Sequence, residues 1–133
     1  MKEFTLLLES AGQSEQIDGV TSFVGEDDSG SFGILPGHVR MITVLSYGLA
    51  RFRVALEPWT YIALPGGVLY FVRNELRIST RRYFKDSDYL RISGVLLDRL
   101  LGEEKEIRST RDSLFRLEQE MFRRLRDMAR SAA

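Results

Sequence analysis

Few residues of this chain could do chemistry. Its single histidine, His38, closes the stretch Ser31-Phe32-Gly33-Ile34-Leu35-Pro36-Gly37-His38, which also holds two of the eleven glycines and one of the three prolines. Histidine changes charge near neutral pH, so general acid–base chemistry would start here. It would need a partner base or carboxylate, and its neighbours in sequence supply none. With no cysteine there is no thiolate nucleophile and no His/Cys metal cluster. Neither a G-x-S-x-G elbow, a phosphate-cradling P-loop nor a G-x-G-x-x-G turn occurs. The acidic run Glu26-Asp27-Asp28 lacks the alternating oxygen ligands and closing glutamate of a calcium loop and reads as a solvated turn. No catalytic residue, metal site or cofactor site is expected. His38 reads as a structural or contact residue.

Two kinds of element carry these residues. Up to about Phe84 the hydropathy alternates with period two, as in Ala50-Arg51-Phe52-Arg53-Val54 and Leu76-Arg77-Ile78-Ser79, the pattern of half-buried strands. Short apolar runs at Phe4–Leu8, Val20–Val24, Met41–Leu45, Tyr61–Leu64 and Val68–Val72 add further strands, with turn residues between them at 26–30, 46–48, 57–58, 65–67 and 73–74. This predicts a small antiparallel β-sandwich or barrel over residues 1–84. Beyond Lys85-Asp86-Ser87-Asp88 the period turns helical, giving a C-terminal helical region over 85–133, as a hairpin or one extended helix. Gly102 is expected to break it between a first helix from about Asp88 and a second from Glu103 to about Arg130. Leu100, Ile107, Leu114, Met121 and Met128 recur every seven residues, widened by Leu117, Phe122 and Leu125 into a stripe. That stripe needs a cover: the sandwich, a helical neighbour or another chain.

Composition narrows the classes. The 133 residues suffice for one core plus an appendage, and nineteen basic residues balance nineteen acidic ones, so no net field draws the chain to nucleic acid or an anionic bilayer. Met1 to Glu9 is too brief and too early charged for a signal peptide, and the uncharged run Pro58–Val72 falls short of the roughly 20 residues of a spanning helix. A soluble or at most peripheral protein is expected.

Ser29-Gly30-Ser31-Phe32-Gly33-Ile34-Leu35-Pro36-Gly37-His38 resembles the E-G-x-x-G-I-x-P-G-H motif of the epsilon subunit of rotary F-type ATP synthases. Tyr61-Ile62-Ala63-Leu64-Pro65-Gly66-Gly67-Val68-Leu69 is similar to that family's second, G-G-I-L-ended stretch. Ile78-Ser79-Thr80-Arg81, Asp86 to Leu90 and Arg111 to Glu118 with Phe122-Arg123-Arg124 resemble the alternate, often sodium-translocating branch. The resemblance implies a noncatalytic central-stalk subunit at the cytoplasmic face of a bacterial inner membrane. It implies a sandwich of about ten strands, bound to the gamma subunit and standing on the c-ring, and helices that reach toward the alpha and beta subunits and inhibit hydrolysis in many members.

Carried over by position, the resemblance implies c-ring contacts at Asp28, Ser31, Phe32 and Gly33, and gamma contacts at Pro36, His38, Met41 and Thr43. It also implies contacts of Arg116, Arg123, Arg124 and Arg126 with alpha and beta. Because glycine permits positive φ and proline fixes φ, the motif reads as a stiff loop beside a strand, sensitive to valine at Gly33 or Gly37. Ser31 stands where many members carry glutamate. Leu97-Asp98-Arg99-Leu100-Leu101-Gly102 lacks the arginine and alanine of the I/L-D-x-x-R-A nucleotide motif, so no ATP site of that kind is expected. A competing reading is a free-standing β-domain adaptor that oligomerises through its C-terminal helix. Another is a small ligand-binding or hydrolytic sandwich, which would need a polar pocket.

Overall fold

The computed structural model describes residues 2–132. Nine strands are present among them: β1 (Phe4–Glu9), β2 (Ser14–Asp27), β3 (Gly30–Ile34), β4 (Met41–Leu45), β5 (Gly48–Val54), β6 (Thr60–Leu64), β7 (Gly67–Val72), β8 (Glu75–Ser79) and β9 (Phe84–Asp86). The ladder runs β4-β7-β8-β1-β2-β5-β6-β9, with β3 on β2. All pairs are antiparallel except β1 with β8, which run parallel from Thr5↔Glu75 to Glu9↔Ser79. A pairing between strands so distant in sequence leaves no local signature.

The alternation expected from the sequence is what builds the core. Phe4, Leu6 and Leu8 of β1, Leu69 and Phe71 of β7 and Leu76 and Ile78 of β8 are buried together with Phe23, Phe52, Ile62 and Leu64. Each such side chain contributes about 1.5–3 kcal/mol by leaving water, and Phe4 meets Phe71 edge to face at 5.6 Å. The β7–β8 connection is Arg73-Asn74, both at positive φ (52° and 58°), the geometry of a two-residue hairpin turn.

Strand β2 closes the sandwich. Its first half pairs with β1 and its second half with β5 and β3, and both ladders slip register around Val20. Gly19, at φ 75°, sits at this corner, with Val54 3.6 Å from where a Cβ would stand. The left-handed backbone, rather than a lack of room, is what asks for glycine here.

In β6 the alternation fails, since Ile62, Ala63 and Leu64 are all buried. The cause is helix α1 (Tyr89–Val95), which covers the outer side of β6 and buries Ala63 together with Ile92 and Leu100. Asp88 caps α1 by accepting from the Arg91 N–H at 3.2 Å, and Asp86 pairs with the Arg91 guanidinium at 2.6 Å. The Asp88 N–H and then the Arg91 charge hold the Asp86 carboxyl below its usual range.

The helical path does not break at Gly102. Residues Leu96–Leu100 form a π turn, and α2 then runs over Leu101–Ala132 with Gly102 inside it. Ile92 and Leu100, both buried, stand eight residues apart. Two regular turns span only 7.2 residues, so one widened turn absorbs the excess and returns Leu100 to the side of Ile92. The Tyr47 hydroxyl donates to the Leu96 carbonyl in this turn. Glycine keeps its N–H donor and lowers helix propensity without barring a helix. The first compact unit runs through Leu100, and α2 forms a unit by itself.

Candidate functional site

The β2–β3 hairpin is built around Asp27. Its Oδ1 accepts from the Ser29 N–H at 2.9 Å and from the Ser29 hydroxyl, while Oδ2 accepts from the Thr43 hydroxyl at 2.7 Å. These hydroxyl bonds, Ser29 first and Thr43 second, hold the carboxyl below its usual value. The acidic run expected to be a solvated turn thus carries a structural residue that ties the hairpin tip to β4. Asp28 is exposed in the turn, and Ser31 and Gly33 are exposed on β3. Phe32, of opposite parity, packs inward with its ring 6.4 Å from Phe23.

Half of the expected loop is therefore strand β3. Gly33 does not have positive φ, and a Cβ there would lie 3.7 Å from the Phe23 carbonyl, an ordinary contact. The conformational requirement falls on Gly37 alone of that pair, at φ 83°. The turn around Pro36 and Gly37 is fastened from both sides: the His38 N–H donates to the Leu35 carbonyl at 3.1 Å, and the Gly37 N–H to the Asn74 side chain at 2.7 Å. His38 stands edge to face against Phe71 at 5.8 Å, and its Nδ1 lies 2.7 Å from the Val39 carbonyl, a bond that requires the proton on Nδ1. The ring is used in packing.

Strand β4 separates the remaining expected contacts by parity. Met41 packs against the core, and Thr43 is bonded to Asp27. The outward residues are Ile42, 71% exposed, and Val44, 68% exposed. Val44 pairs with Val68 of β7. Together with exposed Leu35 and Val39 in the preceding turn they make an apolar surface. The sequence reading missed these residues because in Met41-Ile42-Thr43-Val44-Leu45 both parities are good strand formers.

On α2, Arg116, Arg123, Arg124 and Arg126 are all exposed, and Arg124 pairs with Glu120 at 3.0 Å. Leu114, Leu117, Met121, Phe122, Leu125 and Met128 of the stripe are exposed too.

Comparison with known proteins places this architecture. Residues 10–85 match the family described as ATP synthase, Delta/Epsilon chain, beta-sandwich domain. The chain is 34% identical over 109 residues to ATP synthase epsilon chain 2 of Cereibacter sphaeroides, covering 81% of this chain and 75% of that protein. It is 36% identical over 61 residues to the chloroplastic ATP synthase epsilon chain of Pelargonium hortorum, covering 46% of each. Among solved structures, a chain of the mitochondrial ATP synthase of Euglena gracilis superposes with a TM-score of 0.60 at 17% identity, over 64% of this chain and 54% of that one. A central stalk/c-ring chain of the Tetrahymena thermophila enzyme does so with a TM-score of 0.51 at 16% identity, over 63% and 69%. These last two share the fold. With the match over residues 10–85 and the Cereibacter relative in agreement, the chain belongs to the ATP synthase delta/epsilon chain family.

Proposed function

We propose that the chain is the noncatalytic epsilon subunit of the central stalk of a rotary F-type ATP synthase, coupling the c-ring to the gamma subunit. The carrying observation is the relationship to a protein named ATP synthase epsilon chain 2, which extends over 75% of that protein. A second epsilon chain also fits the alternate branch of these enzymes. The subunit is peripheral, at the cytoplasmic face of a bacterial inner membrane. No helix among the described residues is long and apolar enough to cross a membrane.

The contacts follow the parity of the strands. The gamma subunit takes the apolar surface of Leu35, Val39, Ile42, Val44 and Val68, with Pro36 and His38 shaping its rim and Met41 and Thr43 supporting it from inside. The c-ring takes the hairpin tip through Asp28, Ser31 and Gly33, anchored by Phe32. Helix α2 offers Arg116, Arg123, Arg124 and Arg126 to acidic surfaces of the alpha and beta subunits and restrains hydrolysis there.

Replacing both Ile42 and Val44 by glutamate tests the reading. Both side chains are exposed, so the isolated chain keeps its melting temperature, while recovery of gamma and c-ring with the tagged chain falls about tenfold or more, as expected for charges placed at the centre of an apolar interface. Unchanged recovery together with unchanged ion-driven ATP synthesis would reject it.

A further inference from the structure

Across the sandwich from the apolar surface, one face of the first unit is assigned to no partner. We propose that Arg51, Arg53 and Trp59, with Leu56 at the adjoining hairpin tip, form a third docking surface that takes an acidic segment of a protein partner.

Arg51 and Arg53 stand two residues apart on one side of β5, and Trp59 immediately precedes β6. Their guanidinium carbons lie 4.7 and 5.4 Å from the Trp59 ring centroid. The Arg53 Nε donates to the Glu57 carbonyl at 3.1 Å, which fixes one of the two. Neither guanidinium has a carboxylate within ion-pair distance among the described residues. Two like charges over one ring repel each other, and a bound carboxylate would relieve that repulsion. The turn ahead of Trp59 is closed by the Glu57 N–H on the Val54 carbonyl at 3.0 Å, with Ala55 at φ 50°. It presents Leu56 at 93% exposure. Next to Arg51 runs a groove of about 330 Å³ lined also by Val24, Glu26, Tyr61 and Tyr89, the two tyrosine rings 5.3 Å apart, and bordered at its far edge by Ser31 of the hairpin given above to the c-ring. Tryptophan, tyrosine and arginine are the residue types that dominate binding energy at protein interfaces.

The chemistry favours a discrete acidic protein segment. A nucleic acid would need several phosphate contacts, whereas here two arginines share the face with Glu26 in the groove. A bilayer would need more than one leucine and one tryptophan to insert.

The test uses the purified ATP synthase with Leu56 replaced by the photoreactive p-benzoylphenylalanine, at a position exposed enough to spare the fold. Irradiation is expected to yield an adduct with an aspartate- or glutamate-rich segment of another subunit. Arg51→Glu with Arg53→Glu lowers the yield about tenfold at low ionic strength, and the loss shrinks with added salt. Lysines at the mapped acids restore the yield. An adduct with lipid or nucleic acid, an adduct with a segment free of acids, no adduct, or an equal yield from the double variant would overturn the proposal. Only the identity of the partner rests on the stalk-subunit reading. Failure of that reading shows separately, as absence of gamma and c-ring from the purified sample.

Discussion

At the scale of single residues, Asp27 is the joint of the candidate site. One carboxylate holds both the turn carrying Asp28 and the strand carrying Thr43, so the two proposed contact regions are fixed relative to each other through its bonds. Its carboxyl is held low by the Ser29 and Thr43 hydroxyls, and a depressed value in the folded state means that the charged form is the stabilised one. The contribution is therefore present above the ordinary value of 3.8 and disappears as pH falls through the lowered one. Urea titrations should show Asp27→Ala less stable than the wild type at pH values near neutrality, with the two converging at acid pH below the ordinary carboxylate range. A constant gap across that range would mean that the charge is not what holds the joint. In sequence, Asp27 was indistinguishable from Glu26 and Asp28, because the partner that singles it out, Thr43, is brought to it only by the tertiary fold.

Among the elements, those with a clean period were legible and those with mixed chemistry were not. Ala50 to Val54 and Leu76 to Ser79 alternate sharply, and β5 and β8 stand there. Strand β3 hid behind two glycines in Gly30-Ser31-Phe32-Gly33-Ile34, whose turn-forming composition masks a pairing imposed by β2. The short β9 has only three residues to signal with. The stop at Gly102 was misplaced because the burial of Leu100, which sets the π turn, is a property of the sheet beneath it. In α2 the arginines at 123, 124 and 126 are all exposed, and a single exposed ion pair contributes about 0–1 kcal/mol. They should act together. Replacing Arg123, Arg124 and Arg126 by alanine is expected to leave assembly intact and to raise ATP hydrolysis severalfold at low ionic strength, the difference fading as salt screens the field. Equal hydrolysis rates at low salt would remove the inhibitory role from this helix end.

At the scale of the whole molecule, the exposed row of α2 bears on whether the chain is a subunit or a self-assembling adaptor. Leu114, Leu117, Met121, Leu125 and Met128 follow steps of three, four, four and three residues. From Leu114 to Met128 the seven-residue repeat is interrupted at one place, where Arg124 stands in the position a heptad would give to an apolar residue. The isolated chain is expected to sediment at micromolar concentration as a monomer of 15.3 kDa. A stable dimer would favour the adaptor. The corner at Gly19 has a mechanical consequence of its own. Because β2 passes unbroken from the ladder with β1 to the ladder with β5, the two layers of the sandwich are joined by covalent backbone as well as by side-chain packing. A sideways load on the hairpin tip at 27–30 is therefore met by the turn of the backbone at this corner as well as by side-chain packing, so the sandwich can hand on torque without its two layers sliding freely past each other.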